Sequence, residues 1–203
     1  SSAASDVYKR QIPGFFMVFA VFLQTGYGLT PLQSGLTTVP FSAGMFLTSM
    51  MSGKLGTRWQ RQRIFLGSAM LSVAMVWLQS RVGGLDTPLQ SLIFLPPLLI
   101  AGLGLGTAIS PLFQLVLSNV PNRDAGSASG GVQSFQQVGG AMGVAIMGQL
   151  FFGHLMHRGA PGSAAFGYAA SLERAVYYPV AAFAVTAFAV LFIKPQAGAA
   201  NKG

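Results

Sequence analysis

The sequence predicts an all-α integral membrane protein with six transmembrane helices, and three observations carry that expectation. Charged residues make up 8% of the 203-residue chain, against about 25% in an ordinary soluble domain. Hydrophobic residues are 52% and the mean hydropathy is +0.56, which leaves too little charge to cover a water-facing surface of this size. Apolar windows free of formal charge recur six times. They lack period-two alternation and exceed the roughly 10 residues of a barrel strand, so they read as helices.

The first eleven residues, SSAASDVYKRQ, do not resemble the rest of the chain and read as a non-native leader, residues 1–11, set apart from the fold. Lys9 and Arg10 ahead of an apolar run mimic a secretory signal, but there is no small-residue cleavage site after them and there are five more windows. Window one covers 12–28, only 17 residues, so its first helix is expected to be truncated. Windows two and three cover 34–53 and 64–80. Window four, 92–117, opens near Pro96-Pro97 and holds Pro111, whose missing N–H should kink the helix near Thr107, just after Gly102, Gly104 and Gly106. Window five is 125–153 and window six 175–193, with 196–203 left as a tail.

Window five is the most informative. Its 29 uncharged residues hold eight glycines and four glutamines, enough length to cross a hydrocarbon layer about 30 Å thick. Gly126 and Gly130, and again Gly139 and Gly143, lie four apart, which predicts a smooth face for close helix packing. Gln133, Gln136 and Gln137 are then polar groups at membrane depth, which must face protein or a wet cavity.

The connections alternate in charge. Lys54, Arg58, Arg61 and Arg63 lie between windows two and three, Arg123 beside Asp124 between four and five, and Lys194 and Lys202 after six. The other side holds Arg81 with Asp86, then His154, His157, Arg158, Glu173 and Arg174. Leader aside, seven basic residues face three. The positive-inside rule therefore predicts a multi-pass membrane protein with both ends cytoplasmic. The net charge of +8 is spread between apolar windows, so it argues for topology and against nucleic acid.

Polar and aromatic residues inside the windows are the candidate cavity lining: Gln24, Tyr27, Phe41, Phe113, Gln114, Gln133, Phe135, Gln136 and Gln137. Aromatic rings with a few neutral hydrogen-bonding groups suit small lipophilic or cationic substrates; the same residues can equally serve packing or hydrogen bonds between helices. The chain has no cysteine. His154 and His157 stand three apart without a paired carboxylate, so no metal is expected. No nucleophile–base set, phosphate loop or dinucleotide glycine pattern occurs, so neither catalytic residues nor cofactors are expected.

Three stretches resemble the C-terminal six-helix half of a major facilitator superfamily transporter, and more narrowly the EmrB/QacA type of multidrug:proton antiporter. They are FLQTGYGLTPLQSGLTTVPFSAG, GKLGTRWQRQR and NVPNRDAGSASGGVQSFQQVGGAMGVAIMG. The resemblance covers about 12–195 and implies two inverted three-helix repeats, a missing N-terminal half as partner in the lipid bilayer of the bacterial inner membrane, and proton-driven drug efflux by alternating access. It also implies a gating loop containing Gly53, Arg58, Arg61 and Arg63, joined by the Arg123-Asp124 pair. Thr57 and Gln60 stand where that loop has Asp and Gly, and Gln136 where relatives often carry Arg. Internal likeness between the repeats is slight, limited to Ser34-Gly35 and Ala125-Gly126. Between Ile12 and Ile193 the only acids, Asp86, Asp124 and Glu173, fall outside the windows. The resemblance therefore assigns the proton carriers to the absent half. The contrasting reading is a non-transporting fragment, or a stand-alone six-span scaffold that dimerises to bury the polar face of window five.

Overall fold

The computed structural model describes residues 2–55, 59–82, 92–117, 121, 123, 125–157 and 164–192. Among them there is no strand. The described residues form six long helices: α1 (Ser2–Val21), α2 (Pro31–Leu55), α3 (Gln60–Val82), α4 (Leu95–Leu117), α5 (Ala125–His157) and α6 (Ala164–Phe192). A π-helical turn, Phe22–Gly26, extends α1.

Local chemistry sets the α1–α2 turn. Gly28 takes a left-handed backbone (φ 67°), and the Leu29 N–H then donates back to the Leu23 carbonyl at 3.1 Å. Thr30 and Gln33 form a capping box, in which the Gln33 N–H donates to Thr30 Oγ1 at 3.3 Å and the Thr30 N–H to Gln33 Oε1 at 3.0 Å. Pro31 occupies the first helical position between them, where a missing N–H does no harm. Pro13, Pro40, Pro111 and Pro179 lie inside helices that continue past them.

Three buried hydroxyls are satisfied inside their own helices. Thr37 Oγ1 donates to the Gln33 carbonyl at 2.9 Å, Ser68 Oγ to Ile64 at 2.9 Å and Ser171 Oγ to Gly167 at 2.8 Å. The surfaces between helices can thus be apolar and close. The core runs through Phe15, Val18 and Phe19 of α1 and Phe22 and Leu23 of the π-helical turn, with Phe94, Leu98 and Phe183. Phe94 sits edge-on to Phe19 (5.3 Å) and Phe22 (6.3 Å), and Phe16 edge-on to Phe41 of α2 (4.8 Å).

Glycine sets the tightest crossings. A methyl group on Gly102 would collide with the Phe41 carbonyl, and one on Gly106 with Thr48 Oγ1, so α4 lies backbone to backbone on α2. On the other side, a methyl on Gly67 of α3 would strike the Gly104 carbonyl. One on Gly14 of α1 would stand 2.5 Å from the Gly143 carbonyl of α5.

These contacts also give directions. α2 and α4 run parallel (Phe41 with Gly102, Thr48 with Gly106), as do α1 and α5 (Pro13 with Gly140, Gly14 with Gly143). α3 is antiparallel to α4, and α6 meets the end of α1 through Tyr168 and Gly26. Side by side, the bundle reads α2, α4, α3, α6, α1, α5, with α5 also touching α6.

The helices are longer than the charge-free windows. α1 begins at Ser2, within the stretch read as a leader, and α6 begins at Ala164, well before Glu173 and Arg174. Charges end a hydrocarbon-crossing window, but they do not end a helix. Two stretches of described residues, Gln60–Val82 and Leu92–Ile109, are by themselves long and apolar enough to cross a membrane.

Candidate functional site

The glutamines of α5 form the chemically distinctive part of the bundle. Gln133 and Gln137 are exposed together with Gly130 and Ser134 on one face, while Gln136 starts the buried stripe that continues through Gly140, Gly143, Met147 and Phe151. The amide nitrogen of Gln136 is buried and has no hydrogen-bond partner. A buried donor left unpaired costs about 1–3 kcal/mol, so its place in a packed stripe calls for an acceptor.

Depth comes from helix rise, about 1.5 Å per residue, counted from the crossings. Gln137 then lies about 12 Å from the level of Phe41, toward the end where α3 begins, and Arg63 comes out at the same depth. Backbone positions 114 of α4 and 133 of α5 share a level about 18 Å from Phe41. Gln24 and Tyr27 stand about 12 Å or more in the opposite direction, at the far end of α1. The polar positions of α4 and α5 are therefore brought to one end of the bundle, and Gln24 and Tyr27 are not part of that group.

The other candidates divide by their surroundings. Phe41 is buried, ring-packed on Phe16, and borders a small apolar gap with Phe15, Leu71, Met75 and Phe183, so it meets carbon on all sides. Tyr27 packs edge-on to Phe22 at 5.1 Å, and Gln24 is exposed. Phe113, Gln114 and Phe135 fall in α4 and α5 by backbone, with side chains outside the described residues, and Gly53 is likewise placed in α2 by backbone alone. Arg58, Thr57 and Asp124 lie outside the described residues altogether.

Around the α2–α3 connection, Arg63 is buried at 7% exposure, Arg61 is half-buried and Arg123 is exposed. Trp59 carries a left-handed backbone (φ 62°) and its carbonyl accepts the Arg63 N–H at 3.0 Å. That conformation costs a side-chain-bearing residue roughly 1–2 kcal/mol. The resemblance places the loop glycine at Gln60; the residue whose backbone needs glycine's freedom is Trp59.

The glycine comb of α5 is split. Gly139 and Gly143 are buried, with Gly143 against Gly14, whereas Gly126 and Gly130 have open space around them. Within this chain the comb packs by its later half only. α4 uses Gly102 and Gly106 against α2, and Pro111 is buried in the same helix. Several helix faces stay open, among them those of α2 and α5. That of α2 is apolar, with Leu36, Val39, Phe46, Leu47 and Met50 exposed; that of α5 is polar and glycine-rich.

Comparison with known proteins bears on these faces. Residues 10–144 match the model of the Major Facilitator Superfamily. The "Probable actinorhodin transporter" of Streptomyces coelicolor is 32% identical over 75% of this chain and 27% of its own length. The "Tetracenomycin C resistance and export protein" of Streptomyces glaucescens is 31% identical over 67% of this chain and 24% of its own. The "Multidrug resistance protein Stp" of Mycobacterium tuberculosis is 29% identical over 82% and 29%. The chain thus spans about a quarter of the length of these curated relatives. An all-helical bundle with apolar outer faces, matched over residues 10–144, belongs to the major facilitator superfamily, a family of membrane transporters and not of enzymes.

Proposed function

We propose that this chain is the C-terminal six-span half of an EmrB/QacA-type drug exporter. It works by alternating access against a preceding half that carries the protons. The observation that carries this reading is the buried, unpartnered amide of Gln136 beside the exposed Gln133 and Gln137. Hydrogen-bonding capacity unused within the bundle suits a substrate-facing wall. The export and resistance names of the relatives support the substrate class, and their greater length supports a second half.

Helix pairing supports the inverted repeat. Exchanging α1–α3 for α4–α6 turns the α1–α5 pair into α4–α2 and the α3–α4 pair into α6–α1, and all four pairs occur. The excess of basic residues supports cytoplasmic ends and an α2–α3 loop on the cytoplasmic side. In that orientation Gln133, Gln136 and Gln137 stand at the inner mouth of the proposed cavity, where a drug enters from the cytoplasm.

The test uses a longer reading frame containing this chain, expressed in an efflux-deficient bacterium. Gln137→Ala is expected to shift resistance to at least one compound by about fivefold, the worth of a lost hydrogen bond, at unchanged protein level. Resistance unchanged for every compound tested removes Gln137 from the site.

A further inference from the structure

We infer that the groove between α5 and α6 near their connection is a phospholipid site, with the lipid phosphate held by Arg174. The groove is about 530 Å³ and is lined by Gln149, Leu150, Gly153, His154, Arg174 and Tyr177. That volume falls in the range of small-molecule sites. Its lining combines the polar groups of Gln149, His154, Arg174 and Tyr177 with the apolar Leu150 and Gly153, a mixture that suits an amphiphile better than a purely apolar or purely polar ligand.

Depth selects the occupant, and here the inference rests on the six-span reading. From Arg174 to the end of α6 at Phe192 there are eighteen uncharged residues, about 27 Å of helix, close to the thickness of the hydrocarbon layer. With the end of α6 at one surface, Arg174 stands at the other. The bundle gives a compatible position: Arg174 lies six residues, about 9 Å, inward from Tyr168, which meets Gly26 at the end of α1. That is the zone where an arginine stem lies along apolar surface while its head reaches phosphate. Tyr177 is an interfacial aromatic of the kind enriched at that level.

Charge agrees with depth. Arg174 is exposed and no carboxylate lines the groove among the described residues. Glu173 is adjacent in sequence, so on a helix it points about 100° away. A guanidinium fork binds a phosphate through two parallel hydrogen bonds, and the Gln149 amide and Tyr177 hydroxyl add neutral partners. Leu150 and Gly153 leave an apolar, shallow wall along α5 for an acyl chain.

The test is a thermal-melting titration of the full chain in detergent micelles with phosphatidylglycerol, with a diacylglycerol of the same chains, and with inorganic phosphate. Phosphatidylglycerol is expected to raise the melting temperature saturably, with the half-saturating concentration about tenfold higher in Arg174→Gln, the loss of one charge-assisted contact. Superimposable curves for wild type and Arg174→Gln overturn the proposal. So does a diacylglycerol, or inorganic phosphate alone, that reproduces the shift. Should Arg174→Gln not fold, Arg174→Lys keeps the charge without the fork; weakened binding supports the site and an unchanged curve overturns it. An incorrect span assignment shows separately, as thiol labelling of Glu173→Cys and Gln62→Cys from the same side of the membrane.

Discussion

Gly102→Ala is expected to destabilise the chain near the upper end of the about 1–3 kcal/mol typical of overpacking, while Gly126→Ala leaves it unchanged or slightly more stable. Both replace a helical glycine with alanine, and the difference lies in what each new methyl meets. At Gly102 it meets the Phe41 carbonyl, which is backbone and cannot rotate aside, so α2 and α4 must separate. Separation also disturbs the contacts of Gly44 with Leu99 and of Gly106 with Met45 and Thr48 in the same crossing. At Gly126 nothing stands within 4 Å, and alanine gains about 1 kcal/mol of helix propensity. Unfolding of the two variants in mixed micelles measures the contrast. Equal stabilities would remove glycine-dependent packing from α4. In the proposed longer exporter Gly126→Ala has a second readout: loss of drug resistance at normal protein level would support contact of the open stretch of α5 with the proposed other half.

Phe46→Arg is expected to cost about 3 kcal/mol of membrane insertion, the penalty of an arginine near the centre of a span. Phe46 is 63% exposed and lies 15 residues, about 22 Å, into α2. On a water-facing surface, exchanging an exposed phenylalanine for arginine changes stability by about 0.5 kcal/mol or less. The two environments thus give different magnitudes for one substitution. The measurement is the fraction of α2 inserted, read from engineered glycosylation sites flanking the helix in a microsomal translation assay. Wild-type insertion of Phe46→Arg would contradict a lipid- or protein-covered α2.

Much of the helix content was legible from composition because membrane helices advertise themselves by the absence of charge, and that signal needs no partner. Windows two to five differ from α2–α5 by a few residues at each end. The first and sixth differ more, because a charge marks where hydrocarbon stops, yet α6 continues as helix through Glu173 and Arg174. The Thr30–Gln33 cap was present in the sequence as threonine followed three residues later by glutamine, within a stretch read only for its family resemblance.

The site was less legible because depth depends on tertiary register. Gln24, Phe41 and Gln137 all sit inside apolar windows, and only the crossings at Gly14 and Gly102 separate their levels. Burial is equally nonlocal. Phe41 and Phe46 are one and a half turns apart on α2, and one is enclosed by α1 and α4 while the other is bare. Glycine spacing predicted close packing on α5, but the tightest crossings belong to α4 and its neighbours. What a glycine faces is decided by the partner helix, which no spacing on its own helix reveals.

In the proposed orientation the bundle crosses the membrane with its α2–α3 end in the cytoplasm. The absence of cysteine makes every introduced thiol unique. Gln62→Cys and Glu173→Cys, both at exposed positions, are treated in intact cells with a membrane-impermeant maleimide. Glu173→Cys is predicted to label in intact cells, and Gln62→Cys only after permeabilisation. Labelling of both from the same side, or the reverse pattern, would contradict that orientation.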